Sequence, residues 1–445
     1  MSVFLKLIKM NRDSLPRVLI VSRGVWDESK GTSSTLTNIF EDYDPDKLAH
    51  IYIESFTPNT RCCKLFFQIS EASLIHRIYN KRIQTGHTID ANTGVANLVH
   101  ESIQKEEERM MGFVRRHRSI VFSWGRELLW AFNGWKNDGL KQFILSFNPD
   151  VVWLDGSPLP LMNRLSEFVL RTANKPAVIF MQDDIYTKKS QHGVFLRILY
   201  RRYLRRTVDR VVALCSGMFV ASPKMKQEYD EIFGLDSVFI AKSFQLPEKG
   251  KDPVIHQPIR MVYLGQVIYG RIKTLISVSN AVGIINKEND LVQFSIYTNN
   301  HISDKQRALL LKNKNVFIKD VVPYSEVPRV IAENDVVVFV ETFDPKQNRL
   351  ARLSFSTKIS DYLRSGKCVF AVGPSDIAPI EYFLDEDAAL VATDEESIIK
   401  CMKQIVDPSI VSEYAEKASA CLRKNHDRNK MNEIVYDKLT KIAFA

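Results

Sequence analysis

The run DVVVFVE at 335–341 offers no polar face to solvent. A strand made from it has to be covered on both sides, which is the condition of a parallel strand sandwiched between helices. Similar runs recur along the chain: RVLIVSR at 17–23, HIYIES at 50–55, PDVVWLDG at 149–156, PAVIFMQDD at 176–184 and a shorter run at 218–221. They continue with RMVYLGQ at 260–266, QFSIYT at 293–298, VFIKDVV at 316–322 and CVFAVG at 368–373. Between them lie helix-like segments such as IKTLISVSNAVGIINK at 272–287 and IAPIEYFL at 377–384. The alternation predicts an α/β fold of doubly wound parallel sheets, with crossovers long enough for right-handed βαβ units.

The alternation is interrupted twice. Residues 60–135 read as mostly helical, an insertion carrying Trp124, Trp130 and Trp135 beside a basic stretch. Residues 245–258, QLPEKGKDPVIHQP, shift to proline, lysine and charge and read as a linker. The expected organisation is an N-terminal Rossmann-like domain over 1–248, a second over 257–426, and a helix over 427–445 returning to the first domain.

Composition narrows the class of function. The chain is 45% hydrophobic and 25% charged, as soluble globular proteins are. No run reaches the ~18 apolar residues of a membrane span, and the first residues lack the features of a secretory signal. The six cysteines form no C-x-x-C pair, which argues against a zinc site or a disulfide framework and for a cytoplasmic location. The formal net charge of +9 fits nucleic acid, an anionic membrane face or a phosphorylated ligand. The densest basic clusters, at 197–210 and 115–119, lack the aromatic and glycine pattern of RNA-binding motifs, so nucleic acid is set aside. The stretch MMGFVRRHRSIVFSWGRELLW at 110–130 reads first as a helical subdomain on its own core. Its alternative is peripheral contact with the inner face of a membrane.

Ligands of open parallel sheets bind beyond the carboxyl ends of the strands. Three segments of the second half converge there. Gly265 and Gly270 let backbone approach a ligand, and Arg271 supplies a fork of donors suited to phosphate. Ser356, Thr357 and Lys358 dress a helix start with free N–H groups and an ammonium. Asp361, one turn on, accepts hydrogen bonds from a ribose diol rather than favouring a phosphate. Cations beside one acceptor suit a nucleoside diphosphate. Glu341, ending its strand, is read equally as a donor contact or as the partner of a nearby arginine.

The order YLGQVIYGR at 263–271, IYT at 296–298, SEVP at 325–328, NDVVVFVE at 334–341 and STKISDYLRSGKCVFAVGP at 356–374 resembles retaining glycosyltransferases of GT-B architecture. The likeness is strongest to family-4-like enzymes of bacterial surface-polysaccharide clusters. It spans about 260–384 and extends more loosely to 199–206 and 222–234. It implies two Rossmann-like domains facing across a cleft. The expected reaction is transfer of a sugar, as by a hexosyltransferase, from a nucleotide-diphosphate sugar to a glycan or lipid-linked acceptor, with retention and without a metal or other cofactor.

By the same resemblance Arg271 and Lys358 hold the diphosphate and stabilise the leaving group. Asp361 falls on the ribose-binding glutamate, one methylene shorter. The family's first glutamate is replaced by Leu353, with Glu341 or backbone taking its contact. Base recognition falls near Tyr297 and Tyr324. The family's His-Asp appears as Gln182, Asp183 and Asp184, so one of Asp183 and Asp184 holds the acceptor hydroxyl while the other is read as a helix N-cap; Gly31 and Thr32, by their place after the first strand, stand at the cleft or serve only as an N-cap. Two rival expectations are a nucleotide-sugar epimerase of the same plan and a catalytically silent GT-B-like subunit.

Overall fold

The computed structural model describes residues 14–28, 34–90, 119–132, 134–187, 195–246, 255–349 and 351–445. The chain divides into two compact units: Met1–Val220, Tyr229–Ile240 and Asn432–Ala445 form one, Ala221–Glu228 and Ala241–Met431 the other.

The first part of the chain runs β1 (Val18–Val21), α1 (Ser34–Phe40), β2 (Leu48–Tyr52), β3 (Leu65–Gln68), α2 (Glu71–Tyr79), β4 (His87–Asp90), α3 (Ile120–Phe132), α4 (Asp138–Phe147) and β5 (Val151–Asp155). It continues with α5 (Pro160–Ala173), β6 (Ala177–Met181), α6 (Phe195–Val212), β7 (Gly217–Val220), α7 (Pro223–Phe233) and β8 (Val238–Phe239). The strands order as β4-β3-β2-β1-β5-β6-β7-β8, all pairs parallel except β3 with β4. Strands β1, β5 and β6 are apolar nearly throughout and buried, as a sheet covered on both faces requires. Both α4 and α5 close on a left-handed asparagine, Asn148 and Asn174, whose N–H caps a carbonyl of the last turn.

Residues 60–135 differ from the expectation of mostly helix: they supply β3 and β4 at the sheet's edge as well as α2 and α3. LFFQ and HTID are four residues each, too short for a period-2 pattern to separate them from helix.

The second part runs β9 (Ile259–Leu264), α8 (Arg271–Ile285), β10 (Val292–Tyr297), α9 (Asp304–Leu310), β11 (Val316–Lys319), α10 (Val327–Ala332), β12 (Val336–Val340), α11 (Pro345–Asn348), α12 (Thr357–Arg364) and β13 (Cys368–Val372). Then come α13 (Ala378–Asp385), β14 (Leu390–Ala392), α14 (Glu395–Ile405), α15 (Pro408–Asn425) and α16 (Arg428–Ala443). This sheet is wholly parallel, in the order β11-β10-β9-β12-β13-β14, the Rossmann order. Its core buries Phe294, Val336, Val338 and Phe370 beneath Leu275, Val278 and Val282 of α8 and Met402 of α14. Each such large side chain contributes about 1.5–3 kcal/mol relative to exposure.

The last turns of α16 belong to the first unit, where Tyr436 donates to the Ile39 carbonyl at 2.7 Å and packs edge-on against Tyr43. Gly217 accommodates the same helix, since a Cβ there would lie 2.7 Å from Ile442.

Candidate functional site

Strand β9 lies between β10 and β12 in the second sheet although it precedes both in sequence. Chain direction therefore diverges at the carboxyl ends of β9 and β12, the switch point where α/β sheets bind ligands. A cavity of about 400 Å³ opens there, lined from β9 by Tyr263, Gly265 and Gln266, from β10 by Tyr297, Thr298 and Asn299, and from β12 by Val340 and Glu341. Arg271, Ser356, Lys358 and Tyr362 complete the wall, with Val321 from the segment after β11. Its size suits a small-molecule ligand.

Two glycines make this wall feasible. A Cβ on Gly265 would sit 1.9 Å from Lys358 Nζ, so the missing side chain is the space the ammonium occupies. Gly270 caps α8 at φ 79°, and a Cβ there would fall 2.4 Å from Thr342 Oγ1. Only glycine meets both demands. The turn it permits puts Arg271 in the first position of α8, with its guanidinium at the end of β12.

That guanidinium grips Glu341 through two bonds, Nε to Oε2 at 3.0 Å and Nη2 to Oε1 at 2.7 Å. The Glu341 main chain is fixed in turn, its N–H donating to the Val372 carbonyl and its carbonyl accepting from Thr274 Oγ1. Burial works against the Arg271 charge, but the hydrogen bonds and field of Glu341 outweigh it and hold the guanidinium above its ordinary value. Of the two readings of Glu341, the ion pair is therefore observed, and it places the carboxylate in the cavity wall.

Lys358 enters from the first turn of α12, whose N-cap is Ser356. Its ammonium lies 5.6 Å from the centre of the Tyr263 ring. Burial lowers its pKa to about 8, the nearby Arg271 charge adds to the fall, and Glu341 opposes it. A cation desolvated in this way beside a second one gains most from an anionic ligand.

Gly265, Arg271, Glu341, Ser356, Lys358 and Tyr297 are thus brought together as expected from the sequence. Asp361 is placed elsewhere: its Oδ1 accepts from Lys242 Nζ at 2.6 Å, and neither it nor Thr357 lines the cavity. The α12 turn that carries Lys358 inward points the residue three positions on toward the 241–245 segment instead. Leu353 is fully buried, and its carbonyl accepts from Ser222 Oγ. Tyr324 opens a short 3-10 turn over Tyr324–Glu326, and its side chain lies outside the described residues. Gly31 and Thr32 also lie outside them.

In the first unit Asp184 closes a local turn. It accepts from the N–H groups of Tyr186 and Thr187 at 3.3 and 2.9 Å, from Thr187 Oγ1, and from the Tyr229 hydroxyl. Asp183 beside it is exposed. The sequence reading overlooked Asp155, the last residue of β5. It stands at the β1–β5 switch point and accepts a bond from Trp153 Nε1 at 3.1 Å. Burial raises its carboxyl to about 6 against that bond. The signal was present as an acid closing an apolar run before Gly156.

Also missed were Gln266, Thr298 and Asn299, ordinary loop residues whose proximity only the sheet order reveals. Thr298 and Asn299 also border a second, polar cavity of about 740 Å³ that reaches Arg307, Lys319 and Asp320. Among the described residues no cluster of His, Cys, Asp or Glu is arranged to hold a metal ion.

No protein-family model matches the chain, and no curated protein does. Solved structures do. The crystal structure of TarM superposes with a TM-score of 0.56 at 11% identity, over 97% of this chain and 100% of that one. An α,α-trehalose-phosphate synthase (UDP-forming) from Burkholderia xenovorans, in complex with glucose-6-phosphate, gives 0.54 at 12% identity over 95% and 99%. The structure described as trehalose-6-phosphate from E. coli, bound with UDP-2-fluoro glucose, gives 0.53 at 11% over 96% and 99%. At these identities the likeness establishes the fold, which is GT-B.

Proposed function

We propose that the protein is a glycosyltransferase that moves a sugar from a nucleoside-diphosphate sugar to a hydroxyl acceptor. The observation carrying this reading is the pairing of Lys358 and Arg271 across one cavity at the β9–β12 switch point. The GT-B fold supports it, as do two fold neighbours, one a UDP-forming synthase and one bound with UDP-2-fluoro glucose. UDP is accordingly the first donor nucleotide to test.

In this reading the diphosphate lies between the Lys358 ammonium, the N–H groups opening α12 and the Arg271 guanidinium. Glu341 keeps Arg271 oriented and offers its remaining lone pairs to the donor sugar. As the bond from the anomeric carbon to the diphosphate oxygen breaks, negative charge grows on the leaving group. Cations already desolvated and fixed stabilise that charge without reorganisation. The acceptor oxygen bonds to the anomeric carbon on the same face, and its proton passes to a diphosphate oxygen, which retains configuration. Asp155 holds the acceptor hydroxyl in preference to Asp184, whose oxygens are engaged in its own turn. A hexosyl donor and a surface glycan or lipid-linked acceptor follow from the sequence resemblance.

The test is incubation with UDP-, GDP- and ADP-sugars, recording thermal shift and donor hydrolysis. A ligand that binds the folded state alone raises its apparent stability. A shift with slow hydrolysis for one donor supports the reading, and silence across the panel removes it. One observation favours a binding-only relative: buried Leu353 stands where the resembled family has a glutamate. That alternative predicts a shift with no turnover on any acceptor.

A further inference from the structure

We propose that the outer faces of α3 and the first turn of α6 form a docking surface for an anionic lipid bilayer.

Helix α3 exposes a stripe at helical spacing. Val121, Gly125, Leu128 and Phe132 follow one another at intervals of four, three and four residues, so they share one face. Val121 is 63% exposed and Phe132 80%. The inner face is held by Trp130, buried and bonded to Glu71, and by Glu127, which accepts from Arg164 and from the Leu161 N–H. The helix therefore cannot roll its apolar stripe inward without breaking buried ion pairs, a change that is strongly unfavourable.

Helix α6 begins beside it. Trp124 of α3 reaches the Leu196 carbonyl at 3.4 Å, and its ring meets Tyr200 edge-on and stacks with Tyr203. The first turn of α6 leaves Phe195, Leu196 and Ile198 exposed, Phe195 to 70%. The two apolar faces are thus neighbours, and the combined run of large exposed side chains exceeds the scattered singles normal for a soluble surface.

Charge identifies the occupant. Helix α6 carries six arginines and a single aspartate. Arg197, Arg202 and Arg206 are exposed and have no carboxylate partner among the described residues. Burial, with added repulsion from Arg197, holds Arg201 below its ordinary value. A second copy of the chain across a twofold axis would set these guanidiniums against their equivalents, which like-charge juxtaposition disfavours. Nucleic acid would satisfy the arginines and leave the aliphatic and phenyl groups in water. A bilayer with anionic headgroups meets both demands: the apolar side chains enter the headgroup–acyl boundary and the guanidiniums pair with lipid phosphates. The inference is independent of the sugar-transfer reading.

The experiment is flotation of the full chain with vesicles of phosphatidylcholine alone or mixed equally with phosphatidylglycerol, at low and high salt. Binding is expected to the mixed vesicles, weaker in high salt and weakest to phosphatidylcholine. The triple variant Leu128→Gln/Phe132→Gln/Phe195→Gln should cut partitioning roughly tenfold or more. Arg197→Gln/Arg202→Gln/Arg206→Gln should abolish the preference for anionic vesicles. All six positions are exposed, and an unchanged melting temperature certifies the fold. Wild-type protein that stays unbound at low salt overturns the proposal, as does an apolar-to-glutamine triple variant that floats equally well. Sedimentation velocity showing a dimer that the same variant abolishes, without flotation, assigns the surface to a second copy and overturns it too.

Discussion

In both units the first strand of the sheet lies between the next strand in sequence and a later one, so each sheet has a switch point, β1–β5 in the first and β9–β12 in the second. The two ends are furnished differently. At β9–β12 a glycine gives way to an ammonium, a guanidinium is locked to a carboxylate, and a cavity separates them. At β1–β5 the conspicuous group is a carboxylate held by an indole N–H, with a raised pKa. The first end suits an anion, and under the proposed function the second is assigned a hydroxyl. Topology thus decides where a ligand sits, and a few side chains on the loops decide its chemistry.

The largest expected effect comes from discharging the anion end. Lys358→Ala should lower turnover of the accepted donor about 10²–10³-fold and abolish the thermal shift that its nucleotide produces. Gly265→Ala should do nearly the same by a different route. Its methyl group takes the position of Nζ, and because that atom ends a flexible chain, the lysine moves and the fold persists. Two variants with near-normal melting temperatures and no nucleotide response would sharpen the comparison. A full response in Lys358→Ala would break it.

Next comes the hydroxyl end. Asp155→Asn should reduce transfer about 10–10²-fold while leaving nucleotide binding intact. Stability supplies a second readout. The folded carboxyl holds its proton more tightly than the unfolded one between 3.8 and about 6. Wild-type stability should therefore fall as pH rises through that window, by roughly 1–2 kcal/mol once partial solvent screening is allowed for. The amide of the Asp155→Asn variant cannot titrate, and its urea midpoints across pH 4–7 should lose that slope. Retained slope with lost transfer would mean another group carries it.

The contrast also shows what a sequence can reveal. The sheets were legible because parallel strands buried on both faces leave apolar runs such as DVVVFV, and the Gly265–Arg271 loop was legible because a glycine pair after a strand leaves a mark. The side chains meeting that loop were half legible. Lys358 was found through its helix start, while Asp361, on the same turn, points to Lys242, a contact 119 positions away in sequence that no local pattern encodes. Asp184 was singled out because QDD stands where the resembled family has His-Asp, yet four hydrogen bonds from its own surroundings make it a turn closer. The β3–β4 edge was missed for want of length.

A moderate effect of opposite signs is expected from pH. The Lys358 ammonium is disfavoured in the folded state, with a pKa of about 8 against 10.5. Between those values the unfolded chain binds the proton and the folded one does not, so stability of the ligand-free protein should rise with pH across the interval. Nucleotide stabilisation should fall over the same interval, because the anion needs the charged form. Calorimetric titration of UDP at pH 7 and pH 9 should show weaker binding at pH 9, with proton uptake there. Lys358→Met should flatten both trends, and trends that survive it would belong to another group.

The smallest effect concerns the boundary of the anion end. The Asp361–Lys242 pair is largely shielded, with Phe244 beside the ammonium at 5.1 Å. Asp361→Asn should therefore cost roughly 1–2 kcal/mol, as the loss of a partly buried charge-assisted bond does. If the pair persists with ligand bound, the affinities for UDP and for pyrophosphate should both stay within about twofold of wild type, a change of under about 0.5 kcal/mol. If a ribose instead takes the carboxylate from Lys242, UDP should weaken about tenfold while pyrophosphate, which lacks the diol, is unaffected. That split would return Asp361 to the site and make Lys242 its resting partner, so measuring the two ligands separates a structural ion pair from a displaceable one.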